Sequence, residues 1–238
     1  MMSEKQSTLI DHLEALRRTL LGILLVTALL FPVAYWASPY IISALVRWSF
    51  PPEFRELHYF SPMEVFMVRL KLAFVVALGA GYPVNALLIW RFLLPALYQH
   101  EKRALRFWLV GSAVLFYGGV AFCVWSILPL LMQFAVGFSG ENMTPMFGLA
   151  NFISLSGWMM LAFGVMFQAP VVVMLAVKFG LVSSESLARK RPYVVVGILI
   201  LAALLTPPDV VSQLVLGIPT WLLFELGLFL ARRIEKSA

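Results

Sequence analysis

An all-α integral membrane protein with six kinked transmembrane helices and both ends of the chain in the cytoplasm is the fold class that the sequence predicts. Three observations predict it. Of 238 residues, 61% are hydrophobic and only 13% are charged, with a mean hydropathy of +0.90, which is more apolar surface than a soluble domain of this size can hide. Apolar runs near the roughly 20 residues needed to span a bilayer recur along the whole chain. The cations fall overwhelmingly in alternate loops, as the positive-inside rule requires.

The first run follows HLEALRRTLLG, His12 to Gly22, where Arg17 and Arg18 stand directly before apolar sequence. A twin-arginine export signal begins the same way. A removable signal needs a short apolar core and an A-x-A-like cleavage site near residue 35. The sequence there, FPVAYWASPY, offers Ala34 and Ala37 at the wrong spacing. The run is therefore predicted to stay as a first span over 20–37, with the arginines as its flank. Thr8 with Asp11 can cap the preceding helix. Leu9, Leu13, Leu16 and Leu20 form an apolar stripe, which predicts a segment lying along the interface before it turns into the span.

Further spans are predicted over 66–90, 107–131 and 151–177. The block from Tyr193 to Ala231 is interrupted by LLTPPDVVSQ. Proline removes a backbone donor, and Asp209 can accept the orphan amides of a following helix. The block therefore divides into spans over 193–206 and 210–231, in one polytopic membrane domain covering residues 1–238. The fifth helix, at roughly 14 residues, reaches only about 21 Å against a hydrocarbon core of about 30 Å, so the bilayer thins beside it or its loops sink inward. Pro83, Pro129, Pro170 and Pro219 predict bent helices whose freed carbonyls need neighbours.

Of the 18 Lys and Arg residues, fourteen fall on one side. They are Lys5, Arg17 and Arg18 at the start, Arg91, Lys102, Arg103 and Arg106 in the second loop, Lys178, Arg189, Lys190 and Arg191 in the fourth, and Arg232, Arg233 and Lys236 in the tail. The opposite side receives Arg47, Arg55, Arg69 and Lys71, assigned to the first loop. Both termini are thus predicted to be cytoplasmic. The formal charge of +6 is accounted for by this placement, and no nucleic-acid partner is implied. The lone Cys123 lies in an apolar run and permits neither an internal disulfide nor a metal cluster.

Charged and strongly polar groups within spans are costly, so each is a functional candidate. Gln168 in FGVMFQAPV and Glu225 in WLLFELGLF are the two such residues; hydrogen bonding that holds neighbouring helices together is the simpler reading of both. A second concentration is RFLLPALYQHEKR, Arg91 to Arg103, where Glu101 is a lone acid among cations and apolar residues. An acid so placed pairs with its neighbours or binds an arginine-bearing ligand through a bidentate contact. Catalysis finds little support. The G-x-S-G of Gly137 to Gly140 lacks a base nearby, since His12, His58 and His100 all precede it and two of them lie on the other side. No nucleotide loop, metal-ligand cluster or heme motif occurs. A secondary transporter or small channel, and a scaffold without a ligand site, remain open on these residues alone.

Taken in order, HLEALRR, FSPMEVF, RFLLPALYQHEKR, FGVMFQAPV, KRPYVVVG, LLTPPDVVSQ and IPTWLLFELGLF resemble the TatC family, the core subunit of the twin-arginine protein translocase. PALYQHEKR and TPPDVVSQ are the specific motifs, and the likeness runs over essentially the whole chain. The resemblance implies a glove-shaped bundle in the cytoplasmic (inner) membrane. Its function would be to recognise twin-arginine signal peptides of folded cargo, then nucleate assembly with TatA- and TatB-type single-span subunits for export driven by the proton-motive force. Self-association in a larger complex and contact with membrane lipid go with that reading; covalent chemistry, cofactors and metals do not. By position, Phe92, Glu101, Glu14 and Arg17 would belong to the signal-binding patch. Gln168 would be the polar group of the concave face, and Asp209 with Glu225 would lie in intramembrane or partner-contacting regions. One departure stands out: where the family motif HL-x-EL-R has glutamate, this chain has Ala15, with Glu14 one position earlier. Adjacent helical residues point about 100° apart, so more of the signal site would rest on Glu101.

Overall fold

The computed structural model describes residues 2–93, 102–137, 145–205 and 210–235. Among the described residues, ten α-helices run in the order α1 (Met2–Ser49), α2 (Pro62–Ala80), α3 (Tyr82–Leu93), α4 (Lys102–Phe122), α5 (Leu128–Gly137), α6 (Leu149–Met166), α7 (Ala169–Lys178), α8 (Ser184–Arg189), α9 (Arg191–Leu205) and α10 (Val210–Glu235). A π-helical turn, Cys123–Ile127, joins α4 to α5. Among the described residues no strand forms, and the single bridge pairs His58 with Gly148.

Among the described residues, four stretches are long and apolar enough to cross a membrane: His12–Ser49, Trp108–Gly137, Leu149–Lys178 and Gln213–Arg233. The pair Pro62–Ala80 and Tyr82–Phe92, bent by 60°, makes a fifth. Helix α9 is apolar but shorter; its 15 residues rise only about 22 Å.

The breaks have chemical causes. At the first, Gly81 and Pro83 interrupt the ladder, and α3 leaves α2 at its 60° angle. At the second, Phe167 and Gln168 separate α6 from α7, whose second residue is Pro170. The third precedes Pro129: the ring of a helical proline clashes with the carbonyl four residues back, and the π turn opens the helix there. Pro32, Pro39 and Pro219 lie inside α1 and α10 without ending them.

Helix α1 departs from expectation. It runs unbroken for 48 residues, so no turn separates an interfacial segment from a span, and positions 8 and 11 fall past the first turn of the helix rather than at its start. No proline occurs before Pro32, and a straight continuation keeps every backbone hydrogen bond that a turn would sacrifice. The leucines of the early segment are exposed (Leu13 62%, Leu20 57%). Arg69 and Lys71, counted with the first loop although the predicted span over 66–90 contains them, lie in α2, and Arg47 lies in α1.

The loops after α1 and before α6 are tied together. His58 N–H donates to the Phe147 carbonyl at 2.9 Å, and Leu149 N–H donates to the His58 carbonyl at 2.8 Å. Ser61 caps α2 by accepting from Met63 N–H. Glu64 accepts from the amides of Phe60 (2.9 Å) and Ala150 (3.3 Å), thereby satisfying an orphan donor in the first turn of α6. Below this pairing Phe50 packs edge-on against Phe147 and Phe152, while Arg55 donates to the Phe50 and Arg47 carbonyls at the end of α1. Because α2 and α6 both start from the paired loops, they run parallel, and α3 and α7 end at the opposite face of the molecule. There Ser184 N–H meets Glu235 of α10 at 3.3 Å, and His12, in the early part of α1, lies beside Phe92. Both termini of the described chain therefore sit at one end.

The core centres on α6, where Ile153, Met159 and Phe163 are fully enclosed, with Leu72 of α2, Leu128 of α5, and Leu216 and Leu228 of α10 around it. Glycines allow the closest crossings. A Cβ at Gly119 would stand 2.5 Å from the Phe163 carbonyl oxygen, and one at Gly227 would stand 2.6 Å from the Pro170 Cα. Small residues that let backbones approach this closely are how helices associate in lipid, where burying apolar surface gives no advantage.

Candidate functional site

Two polar arrangements stand out, one at each level of the bundle. At the end that holds the termini, α1 and α3 converge: Gly22 lies against Leu88, and the His12 ring lies 4.6 Å from the half-buried Phe92 ring, tilted by 31°. Glu14 on the exposed helix surface accepts from Arg18 Nη2 at 2.5 Å, one turn along. Arg17 is exposed beside it. Ala15 lies one turn from His12 on the same face, since residues three apart are helical neighbours. Position 15 thus shares the helix face of His12, whereas Glu14 lies off that face and is already paired with Arg18. Glu101 and Asp209 lie outside the described residues.

The second arrangement sits where the helices break. Gln168, at the junction of α6 and α7, accepts from Ser112 Oγ at 2.7 Å and donates to the Ser112 carbonyl at 3.1 Å. The Tyr82 hydroxyl lies 2.7 Å from the same Ser112 Oγ, and its ring stacks on Phe116 at 3.8 Å. Three polar residues from α3, α4 and the α6–α7 junction thus form a chain beside two of the bends. Ser112 is fully buried, so its partners satisfy a hydroxyl that hydrocarbon would otherwise strand. Gln168 accordingly makes the helix-holding bonds that the simpler reading expects. Replacement by leucine is expected to cost about 1–2 kcal/mol, read as a lower unfolding temperature in detergent. Combining Gln168→Leu with Ser112→Ala is expected to cost less than the sum of the two, because they share one bond.

Glu225 of α10 takes a bidentate guanidinium from Arg191 at the start of α9, with both contacts at 2.7 Å. A planar fork on a carboxylate fixes orientation as well as charge. The pair clamps the short α9 against α10 at the terminal end. Cys123 is fully buried and unpaired, and among the described residues no cluster of three or more His, Cys, Asp or Glu is placed to hold a metal.

The sequence reading singled out Gln168 and Glu225 but not their partners. Ser112 and Tyr82 carried a weak signal, as polar groups in the third span and beside Pro83. Arg191 looked like one more loop cation. Nothing local in the sequence pairs either set, because 56 and 34 residues separate the partners.

A bundle of bent apolar helices with polar networks at its breaks defines the class of a polytopic membrane protein. Its relatives place it in a family. The chain matches the family of Sec-independent protein translocase proteins, TatC, over residues 11–219. It is 36% identical to the Sec-independent protein translocase protein TatC of Escherichia coli (strain K12) over 241 aligned positions, covering 98% of this chain and 91% of the relative. To the TatC of Azotobacter chroococcum mcd 1 it is 34% identical, covering 98% and 92%. A crystal structure of a twin-arginine translocase receptor, TatC, superposes with a TM-score of 0.82 at 32% identity, over 92% of this chain and 99% of that one. The chain belongs to the TatC family. It is accordingly a multi-pass membrane subunit of a Sec-independent translocase and not an enzyme.

Proposed function

We propose that this subunit recognises twin-arginine signal peptides of folded cargo at the cytoplasmic face and nucleates assembly with TatA- and TatB-type single-span subunits, for export driven by the proton-motive force. The carrying observation is the likeness over nearly the full length to a solved twin-arginine translocase receptor. The convergence of α1 and α3 at the terminal end supports it, because His12 against Phe92 brings two of the implied signal-binding segments together. In this reading the chain spans the inner membrane six times, with α9 as the short fifth span and both termini cytoplasmic. Arg17, Arg18, Lys178, Arg189, Lys190, Arg232 and Arg233 near the terminal end support that orientation under the positive-inside rule. Glu101 would bind the signal's guanidinium groups through charge-assisted hydrogen bonds, and Phe92, Glu14 and Arg17 would belong to the same patch. Gln168, Asp209 and Glu225 would serve the intramembrane and partner-facing surfaces, and copies of the subunit would associate in the assembled translocase.

Export of a folded fluorescent reporter carrying a twin-arginine signal tests the reading. Deleting this protein in its own host is expected to leave the reporter in the cytoplasm, and returning the gene restores export. Unchanged export in the deletion strain would rule the function out.

A further inference from the structure

Between α2 and α6 runs a furrow lined by none of the residues implied for signal binding. Its upper part, a hollow of about 330 Å³, is lined by Lys71, Phe74, Val75, Ile153, Gly157 and Trp158 among others. A second hollow of about 230 Å³ continues it, with Val75 and Leu161 common to both. Tyr117 closes the lower end, where its hydroxyl donates to the Gly79 and Ala80 carbonyls at 3.2 Å. The walls are apolar along their length. The charge in the lining is Lys71, at the mouth.

Depth can be read from the helices. Both descend in parallel from the paired loops, so equal offsets from Pro62 and Leu149 lie at equal depth. Lys71 and Trp158 each come nine residues in, about 14 Å along their helices, and flank the mouth at one level. From Lys71 to Ala80 the furrow runs a further nine residues, again about 14 Å, close to half the thickness of the hydrocarbon core of about 30 Å.

Lys71 is exposed and has no hydrogen-bond or ion-pair partner among the described residues. Its neighbour Arg69 differs: its Nε donates to Ser38 Oγ at 3.0 Å, and its guanidinium lies 4.7 Å from the centre of the Tyr35 ring. An unpaired ammonium within an apolar span calls for an anion. Side chains on a helix lean toward its N-terminus, so Lys71 reaches toward the paired-loop end; the uncharged run 72–90 that follows it is near the length needed to cross the hydrocarbon, which puts Lys71 at the edge of that run, within snorkelling reach of the headgroups. Trp158, 63% exposed, has the amphipathic ring found at that level of a bilayer.

We propose that this furrow binds one anionic phospholipid from the leaflet at the paired-loop end, its headgroup held by Lys71 and an acyl tail lying along Val75, Gly157 and Leu161 down to Tyr117. The inference rests on the chain spanning a membrane and is independent of signal recognition.

The test uses the full-length protein in phosphatidylcholine bilayer discs carrying a trace of phosphatidylglycerol or phosphatidylcholine with a photoactivatable diazirine in the tail, followed by mapping of the labelled peptides. Phosphatidylglycerol is expected to label the Gly157–Leu161 region about fivefold more than phosphatidylcholine, the factor one basic residue gives an anionic lipid. Lys71→Gln is expected to bring the ratio to about one, and Lys71→Arg to restore it. Equal labelling of the wild-type protein by the two lipids, as a furrow filled by bulk lipid or by another helix would give, overturns the proposal. So does a preference that survives Lys71→Gln. Both readouts are independent of export, so a failed export test and a failed lipid test are distinguishable.

Discussion

Gly119→Ala is expected to lower the stability of the bundle by about 1–3 kcal/mol, measured as a drop in unfolding temperature and in the yield of monodisperse protein. A Cβ at this position meets the carbonyl oxygen of Phe163 at 2.5 Å and its carbon at 2.9 Å. Both atoms belong to the backbone of α6, so no side-chain rotation relieves the contact, and α4 has to move away from the central helix. That movement also disturbs Phe116, which packs against Gly164 of α6 and stacks on Tyr82, and through Tyr82 it reaches the Ser112–Gln168 network. The adjacent glycine is the control. Nothing lies within 4 Å of a Cβ at Gly118, so Gly118→Ala is expected to be neutral or to stabilise by up to about 1 kcal/mol through helix propensity. Two neighbouring glycines giving the same response would contradict the close crossing of α4 and α6.

The second large effect is a gain. Ala15→Glu is expected to tighten binding of a twin-arginine signal peptide about tenfold, from the lower end of the range for hydrogen bonds to charged groups, because the helix surface there stays solvated. Glu14→Ala is expected to change binding less than twofold. The reason is geometric: position 15 shares the His12 face that packs on Phe92, while Glu14 lies off that face and accepts from Arg18. A loss on Glu14→Ala with no gain on Ala15→Glu would mean that the signal approaches α1 from the other side. Peptide affinity by fluorescence anisotropy, at one fixed salt concentration since the contacts are ionic, reads both variants.

Much of this architecture is legible in the chain because hydrocarbon imposes simple rules. Apolar runs marked the helices, and the prolines at 83, 129 and 170 stand at three of the breaks, since the loss of a donor is a local property. The course of α1 was not legible. Amphipathicity before Gly22 fits a helix lying on an interface as well as one that continues straight, and only the contact of Gly22 with Leu88 distinguishes them. Arg69 and Lys71 looked like loop cations because composition does not show that Ser38 and the Tyr35 ring accept one of them inside the bundle. At the candidate sites, Gln168 and Glu225 stood out by being polar in apolar company. Their partners did not, since long-range pairings of Ser112 and Arg191 depend on how bent helices cross.

Copurification with a signal peptide tests the central claim most directly. The purified full-length protein, presented with an immobilised twin-arginine signal peptide and with the same peptide carrying two lysines, is expected to be retained by the first and released from the second, because lysine cannot make the bidentate contact with a carboxylate. Equal retention by both peptides, or by neither, would contradict a receptor for twin-arginine signals.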